Sequence, residues 1–499
     1  MRRKAEVAAA AVMLTGCVQG PDFQPPTPKV PAGWSHGWSD TAPVAALFHG
    51  QPSWWEAFGD ATLTRLITRT CDENPDIRVA LARVAESRAT LAQQAVPLLP
   101  SLGGSASYNR ERPSAKGVLS LTGGSSAVAP QGSAGPTAGI SHPAARDFDL
   151  FQSGFDASWE PDLWGKIARG IEAADAALLA SREAEIVALG TMATEIGRNY
   201  VLLRSAQADL KIAERLRDLS LQTSHLTRSR VESGFSTELD LSNANASLAL
   251  AEANLPPLRN TVQGLRNAIA QLLGLGPGAL DAELSQPLPV AMLQTPIPLS
   301  LPSELARSRP DLRQAEAVLH QATANIGVAR ADFFPQVTLS GSFAFQALQF
   351  SGGNGLGVWG AHQFAVGPQI SVPIFDAGRV QANVRLAEAQ HVEAFEAYRR
   401  AVLLALHDVE NSLNTLQQDR ARFDALMAQA AQLEQSNRLQ RRLTQSGLSD
   451  RLRDLEVERS WLAATQASSD AQGLVAVDQI ATIKALGLGW PVSPGVSDD

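Results

Sequence analysis

The chain has 499 residues, with 42 Lys and Arg against 50 Asp and Glu, a formal net charge of −8. Nothing basic is patterned along it, which excludes electrostatic recognition of nucleic acid as its task. Its two cysteines exclude a disulfide framework. After the first residues no run of about 18 apolar residues occurs, so a membrane-spanning helix is excluded and any crossing must be made by strands.

Arg2, Arg3 and Lys4 form a positive start, Val7 to Leu14 a short apolar run, and Leu14-Thr15-Gly16-Cys17 follows. The run is far short of the ~20 residues a span needs, so residues 1–16 read as a secretory signal. Leu-Thr-Gly-Cys resembles the bacterial lipobox, at which cleavage leaves Cys17 as an N-terminus carrying diacylglycerol and an N-acyl chain of the palmitate kind. Val18 beside it favours the outer membrane over the inner. An ordinary signal followed by an incidental cysteine is the plainer alternative. Cleavage removes three positive charges and one negative, so −8 becomes −10, and Cys71 is left as a lone thiol. Residues 17–60 are expected to be a lipid-anchored extension.

Residues 61–278 then form the first of two copies. Asn74-Pro75-Asp76-Ile77-Arg78 returns as Arg309-Pro310-Asp311-Leu312-Arg313, and Leu273-Gly274-Leu275-Gly276 returns as Leu486-Gly487-Leu488-Gly489. A period above 200 residues denotes a duplicated domain rather than a solenoid. A helix is predicted from Pro75 to Pro97, followed by a hairpin over 101–160. In that hairpin Phe151, Phe155, Ala157 and Trp159 alternate with Gln152, Gly154, Asp156 and Ser158, while Leu102 to Tyr108 alternates more weakly. A Gly-, Ser- and Pro-rich loop from Asn109 to Leu150 joins the two strands. Such alternation suits strands with one face to lipid and the other to a lumen. Half-buried strands of a soluble protein alternate in the same way.

Between Gly165 and Gly234 lie 68 residues without proline. Leu189, Ile196, Leu203 and Leu210 recur there every seven residues, the period of a left-handed supercoil. A helix of that length is roughly 100 Å long, beyond the needs of a globular domain. Ser233 and Gly234 read as its stop, and Ser236 as the cap of a returning helix of about 40 residues that ends near Gly274. A Pro-rich linker, 279–302, leads to the second copy, 303–490. This repeats the plan with a helix from Pro310 to Phe334, a hairpin over 336–375 and a long helix from Gly378 to Gly447. On that helix Val402, Val409, Leu416, Phe423 and Ala430 keep the seven-residue period, with Leu406, Leu413 and Met427 between them. Ser446 and Gly447 make the stop and Ser449 the next cap. Residues 491–499 are a tail.

Two hairpins supply four strands, which cannot enclose a lumen. Unpaired strand edges in lipid cost several kcal/mol per group, so the sheet has to close with other copies. The expected class is therefore an α+β membrane protein, internally duplicated, with long coiled-coil helices and a transmembrane β-barrel. The eight histidines lack metal-ligand spacing and no Gly-x-Ser-x-Gly elbow or phosphate loop is present, so neither a metal site nor an enzyme is expected.

Further residues carry a family resemblance. Gly20-Pro21-Asp22-Phe23, Trp54-Trp55-Glu56-Ala57-Phe58-Gly59-Asp60, Arg83-Val84-Ala85-Glu86-Ser87-Arg88-Ala89 and Pro373-Ile374-Phe375-Asp376-Ala377-Gly378-Arg379 together resemble the outer-membrane efflux factor family. This is the TolC-like family, and the resemblance is to its lipoprotein branch serving RND pumps, the OprM/NodT type. It implies a homotrimer with a 12-stranded barrel above a periplasmic α-barrel, acting as exit duct for small molecules such as drugs. It also implies a periplasmic adaptor and an inner-membrane RND pump as partners, with the tip turns Ser233, Gly234, Ser446 and Gly447 contacting the adaptor. The family's constriction falls here on Leu452, Glu456 and Arg459, where an ion pair between Glu456 and Arg459 is the plainer reading. Arg453 and Asp454 depart from the family's small or apolar residues. A duct for type I protein secretion and a structural periplasmic lipoprotein without a pore are the alternatives.

Overall fold

The structure, a computed structural model, describes residues 18–27, 30–31, 33–34, 54–112, 148–293, 297, 305, 308–350 and 362–487. Cys17 lies outside the described residues, as do the centres of both hairpin loops. The chain divides into two units. One comprises Met1–Phe23, Thr90–Ala174 and Ala322–His391, the other Gln24–Ala89, Asp175–Gln321 and Val392–Asp499.

The first unit is built on one antiparallel sheet of four strands in chain order: β1 (Ser101–Glu111), β2 (Phe148–Trp159), β3 (Gln336–Phe350) and β4 (His362–Ser371). The two hairpins pair with each other through β2 and β3. Strands run further into the loops than the alternation suggested, with β1 reaching Glu111 and β3 reaching Phe350. Main-chain pairing continues there although the side-chain pattern has faded. Against residues 164–169 and Gly327, Val18 to Phe23 lies as a strap. The Gln19 N–H donates to the Trp164 carbonyl, and Arg169 donates to the carbonyls of Gln19 and Gly20 and to Asp22. Gly20 has φ +92, and a Cβ on it would stand 2.4 Å from the Cα of Gly327. Two glycines are needed because two backbones touch at that point.

The second unit holds the apolar core. It opens on a 3-10 turn, Trp54–Phe58, whose Trp54, Trp55 and Phe58 are buried with Leu63, Leu66, Ile67, Ile196 and Ile480. Asp60 follows and caps α1 (Ala61–Glu73), accepting from the N–H groups of Thr62 and Leu63. Its other oxygen accepts the Tyr200 hydroxyl at 2.6 Å. Burial, then that hydrogen bond, pushes the Tyr200 phenol up to about 12. Helix α1 is an element that the sequence pattern did not announce, since its apolar positions fall just ahead of the predicted start at Pro75.

Helix α2 runs Pro75–Ala95, with proline at its first turn and the Asn74 carboxamide accepting from the Asp76 and Ile77 N–H groups. The long helices are α3 (Lys166–Glu232) and α7 (Arg379–Gln445), 67 residues each, at equivalent places in the two copies. Most of their seven-residue positions are buried, Ile196, Leu203 and Val409 completely, but Met427 is half exposed. α6 spans Pro310–Ala331 and α8 Arg451–Ala485.

The first returning helix differs from expectation. It is two pieces, α4 (Glu238–Ala253) and α5 (Leu255–Leu272), meeting at Asn254. Pro256 and Pro257 explain the break, since neither ring nitrogen can donate to the preceding turn. The caps also differ, lying one residue beyond Ser236 and Ser449. Thr237 forms a capping box with Asp240, and Asp450 accepts from the Arg453 N–H. A carboxylate and a threonine reach the third residue of the new helix where the preceding serines do not.

Candidate functional site

The sheet and the helix tips are the features on which a transport function would rest. In the sheet, register decides the faces. Leu102 pairs with Ala157 and Tyr108 with Phe151; Phe155 pairs with Phe343, and Phe343 with Phe364. Directly opposed residues share a face. Leu102, Tyr108, Phe151, Phe155, Trp159, Leu339, Phe343, Phe364, Val366 and Ile370 therefore share one largely apolar face, and all are exposed. The reverse face carries Ser105, Ser107, Gln152, Asp156, Ser158, Thr338, Ser340, Ser342, Gln363 and Gln369. An exposed apolar surface of that extent marks a lipid or protein contact. The outer edges of β1 and β4 have no strand beside them among the described residues.

The tips are built twice by the same bonds. After α3 the Gly234 N–H donates to the Val231 carbonyl and the Phe235 N–H to the Arg230 carbonyl, with Gly234 at φ +74. After α7 the Gly447 N–H donates to Thr444 and the Leu448 N–H to Leu443, with Gly447 at φ +75. Both are Schellman stops that need the left-handed conformation only glycine adopts without strain. Ser233 and Ser446 close the same turns by donating their hydroxyls to the Ser229 and Arg442 carbonyls. Phe235 at 77% exposure and Leu448 at 75% then project beyond the turns without apolar cover. Asp240 and Asp450 are held below the usual carboxylate range, chiefly by backbone N–H donors of their caps, from Thr237 and Arg453 respectively.

Helix α8 begins at this level and is two-sided. Leu452, Glu456 and Arg459 share one face, with Leu452 half-buried and the other two exposed. The expected pairing of Glu456 with Arg459 does not form. Glu456 accepts instead from Arg453 at 3.1 Å, on the N-terminal side. Arg459 lines a groove of about 600 Å³ beside the α4–α5 break, with Leu216, Leu250, Asn254 and Pro257. The opposite face is buried. Leu455 and Leu462 pack on Leu219, Asp454 accepts from Arg451, and Glu458 is 2% exposed between Arg215 of α3 and Arg441 of α7. Sequence reasoning passed over Glu458. The available signal was an acid four residues from Asp454 on a face shared with two leucines.

A sheet apolar on one face and polar on the other, in a chain whose long helices end in matched tight turns, defines an outer-membrane channel. The sequence matches the Outer membrane efflux protein family over residues 66–275 and 301–488, and the chain belongs to that family. It is 29% identical over 500 residues to the solvent efflux pump outer membrane protein SrpC of Pseudomonas putida, covering 99% of this chain and 100% of the relative. The antibiotic efflux pump outer membrane protein ArpC of Pseudomonas putida is 30% identical over 497 residues, 97% of this chain and 95% of the relative. Among solved structures, the outer-membrane channel OprN superimposes with a TM-score of 0.79 at 30% identity, covering 95% of this chain and 100% of that one. The open state of the Neisseria gonorrhoeae MtrE outer membrane channel gives a TM-score of 0.76 at 26% identity over 95% and 99% of the two chains. The protein is thus an efflux channel of the outer membrane, a conduit in class.

Proposed function

We propose that three copies close their sheets into a 12-stranded barrel and that the resulting pore is the exit duct of a tripartite RND efflux system. The observation that carries this reading is the register, which sets Leu102, Phe155, Phe343 and Phe364 of the four strands on one face and, among the described residues, leaves the outer edges of β1 and β4 unpaired. In lipid such edges must pair with other copies, and the polar face then lines the lumen. Cys17 carries the lipid anchor, holding the chain to the outer membrane while the helices extend into the periplasm. The tip turns Ser233-Gly234 and Ser446-Gly447, with Phe235 and Leu448 uncovered beside them, receive the periplasmic adaptor, and an inner-membrane pump supplies the energy. Leu452, Glu456 and Arg459 narrow the pore: a ring of leucines gates by dewetting and a ring of carboxylates favours cations. Relatives named for solvent and antibiotic efflux pumps support small apolar or amphipathic cargo.

The test is conductance in a planar bilayer, with molecular mass measured in detergent. A trimer whose small conductance rises in Leu452→Ala/Glu456→Ala supports a gated duct. A monomer, or a trimer silent in both forms, would replace it with a lipoprotein lacking a pore. Rescue of protein secretion instead of drug resistance in a duct-deficient strain would favour a type I secretion duct.

A further inference from the structure

Helix α8 is packed between the two long helices. Against α3, Gly473 approaches Ser205 so closely that an added Cβ would lie 2.8 Å from its Oγ. Against α7, Ala471 and Val475 bury with Phe423. Both contacts are apolar or tight, and within each one carboxylate faces another. Asp470 of α8 stands against Asp209 of α3, and Asp478 of α8 against Asp419 of α7. Asp209 Oδ1 and Asp478 Oδ2 are shut off from solvent, and among the described residues neither has a hydrogen-bond donor.

Cations of the neighbouring elements are engaged elsewhere. Arg266 of α5 donates to the Leu284 carbonyl, Arg259 of α5 pairs with Glu214 of α3, and Arg420 of α7 pairs with Asp424. The charge that acts on each half-buried aspartate is that of its opposite number. Two carboxylates in contact without a cation are stable only when one is protonated and donates its O–H to the other.

We propose that Asp209–Asp470 and Asp419–Asp478 are proton-dependent latches that hold α8 to α3 and to α7. With a proton shared in each pair, an Asp–OH···⁻O–Asp bond supplies the missing donor. When the protons leave, the facing carboxylates of each pair repel, with Asp470 exposed and the other three half-buried, and α8 loosens along its length. Burial first, then the facing Asp470, pushes Asp209 up to about 7 from its ordinary 3.8. Burial first, then Asp419, pushes Asp478 up to about 7 as well. The folded chain therefore binds these protons more tightly than the unfolded one, and the stability they provide is lost as pH rises through about 7. The latches need no assumption about the pore, so their test is separate from the conductance test.

Full-length protein in detergent is titrated by infrared spectroscopy in wild-type, Asp209→Asn and Asp478→Asn forms. Wild type should show a protonated-carboxyl band that vanishes through neutral pH and falls by about half in each variant, one proton per pair being removed. Its unfolding temperature should fall from about pH 4 to about pH 7 and level off above, and Asp209→Asn/Asp478→Asn should lose that fall, since the amide donates at every pH. Asp470→Asn and Asp419→Asn make the same substitution from the other side of each pair, should the first set fold poorly. A band unchanged in every variant, or a double variant whose unfolding follows wild type with pH, would overturn the proposal.

Discussion

Glu458 of α8 accepts two hydrogen bonds from Arg215 of α3, at 3.0 and 2.5 Å. Arg441 of α7 lies 3.0 Å from the second carboxylate oxygen, so one buried acid ties three helices together. Glu458→Ala leaves both arginines without that partner. Removing one member of a fully buried pair costs about 3–5 kcal/mol. Here the arginine side chains are 41% and 45% exposed, and water recovers part of the loss. A cost of about 1–2 kcal/mol is expected after that discount, read as a lowered denaturant midpoint. An unchanged midpoint would mean the cluster is decorative.

At the tips, the two stops should respond alike. A Cβ at Gly234 or Gly447 meets nothing within 4 Å, so Gly234→Ala and Gly447→Ala incur backbone strain alone. Each is expected to cost about 1 kcal/mol. Hydrogen exchange at Phe235 and Leu448 should accelerate accordingly, since their N–H groups close the turns. Unaltered exchange would refute the reading of these residues as Schellman stops.

The strap makes the opposite case, where space rather than φ decides. At Gly327 an added Cβ would lie 2.6 Å from the Gln19 carbonyl oxygen and 2.8 Å from Arg169 Cγ. Backbone cannot yield as a flexible side chain does, so Gly327→Ala should unseat residues 18–23 at a cost of about 1–3 kcal/mol. Limited proteolysis within the strap measures it: cleavage faster than in wild type is expected, and equal rates would show that the strap is not held at Gly327.

Cys71 offers a pH prediction. Burial, then the neighbouring Asp72, pushes its thiol up to about 11. Thiolate is the reactive form, so alkylation at mild alkaline pH should run roughly two orders of magnitude slower than for a free thiol near pKa 8.5. The rate should climb toward about pH 11 and match the free thiol once the chain is unfolded. Fast alkylation of the folded protein would contradict the half-buried placement.

Much of this architecture is legible in the residues because it is local. The proline-free stretches between Gly165 and Gly234 and between Gly378 and Gly447 announce 67-residue helices, and alternation of Phe151, Phe155 and Trp159 announces a strand. The glycines at 234 and 447 mark turns that no other residue makes cheaply. Misreadings came where two local devices compete. Pro256 and Pro257 sit in a stretch otherwise suited to one helix, and Thr237 and Asp450 outcompete adjacent serines for the capping position. Among i, i+3 partners, Glu456 lies between Arg453 and Arg459, and spacing alone does not choose between them.

What the chain determined by itself is thus periodicity, duplication, the lipobox-like start and the need for the sheet to close with further strands. Only the tertiary structure decided which side chains meet across helices. Glu458 lies 243 residues from Arg215, and Gly20 touches Gly327 from the far end of the sequence. The physical reason is that a repeat reports a side chain's direction from its own helix axis, whereas a contact depends on the axial register between helices. That register is set by the summed packing of α3, α7 and α8 rather than by any one residue's neighbours.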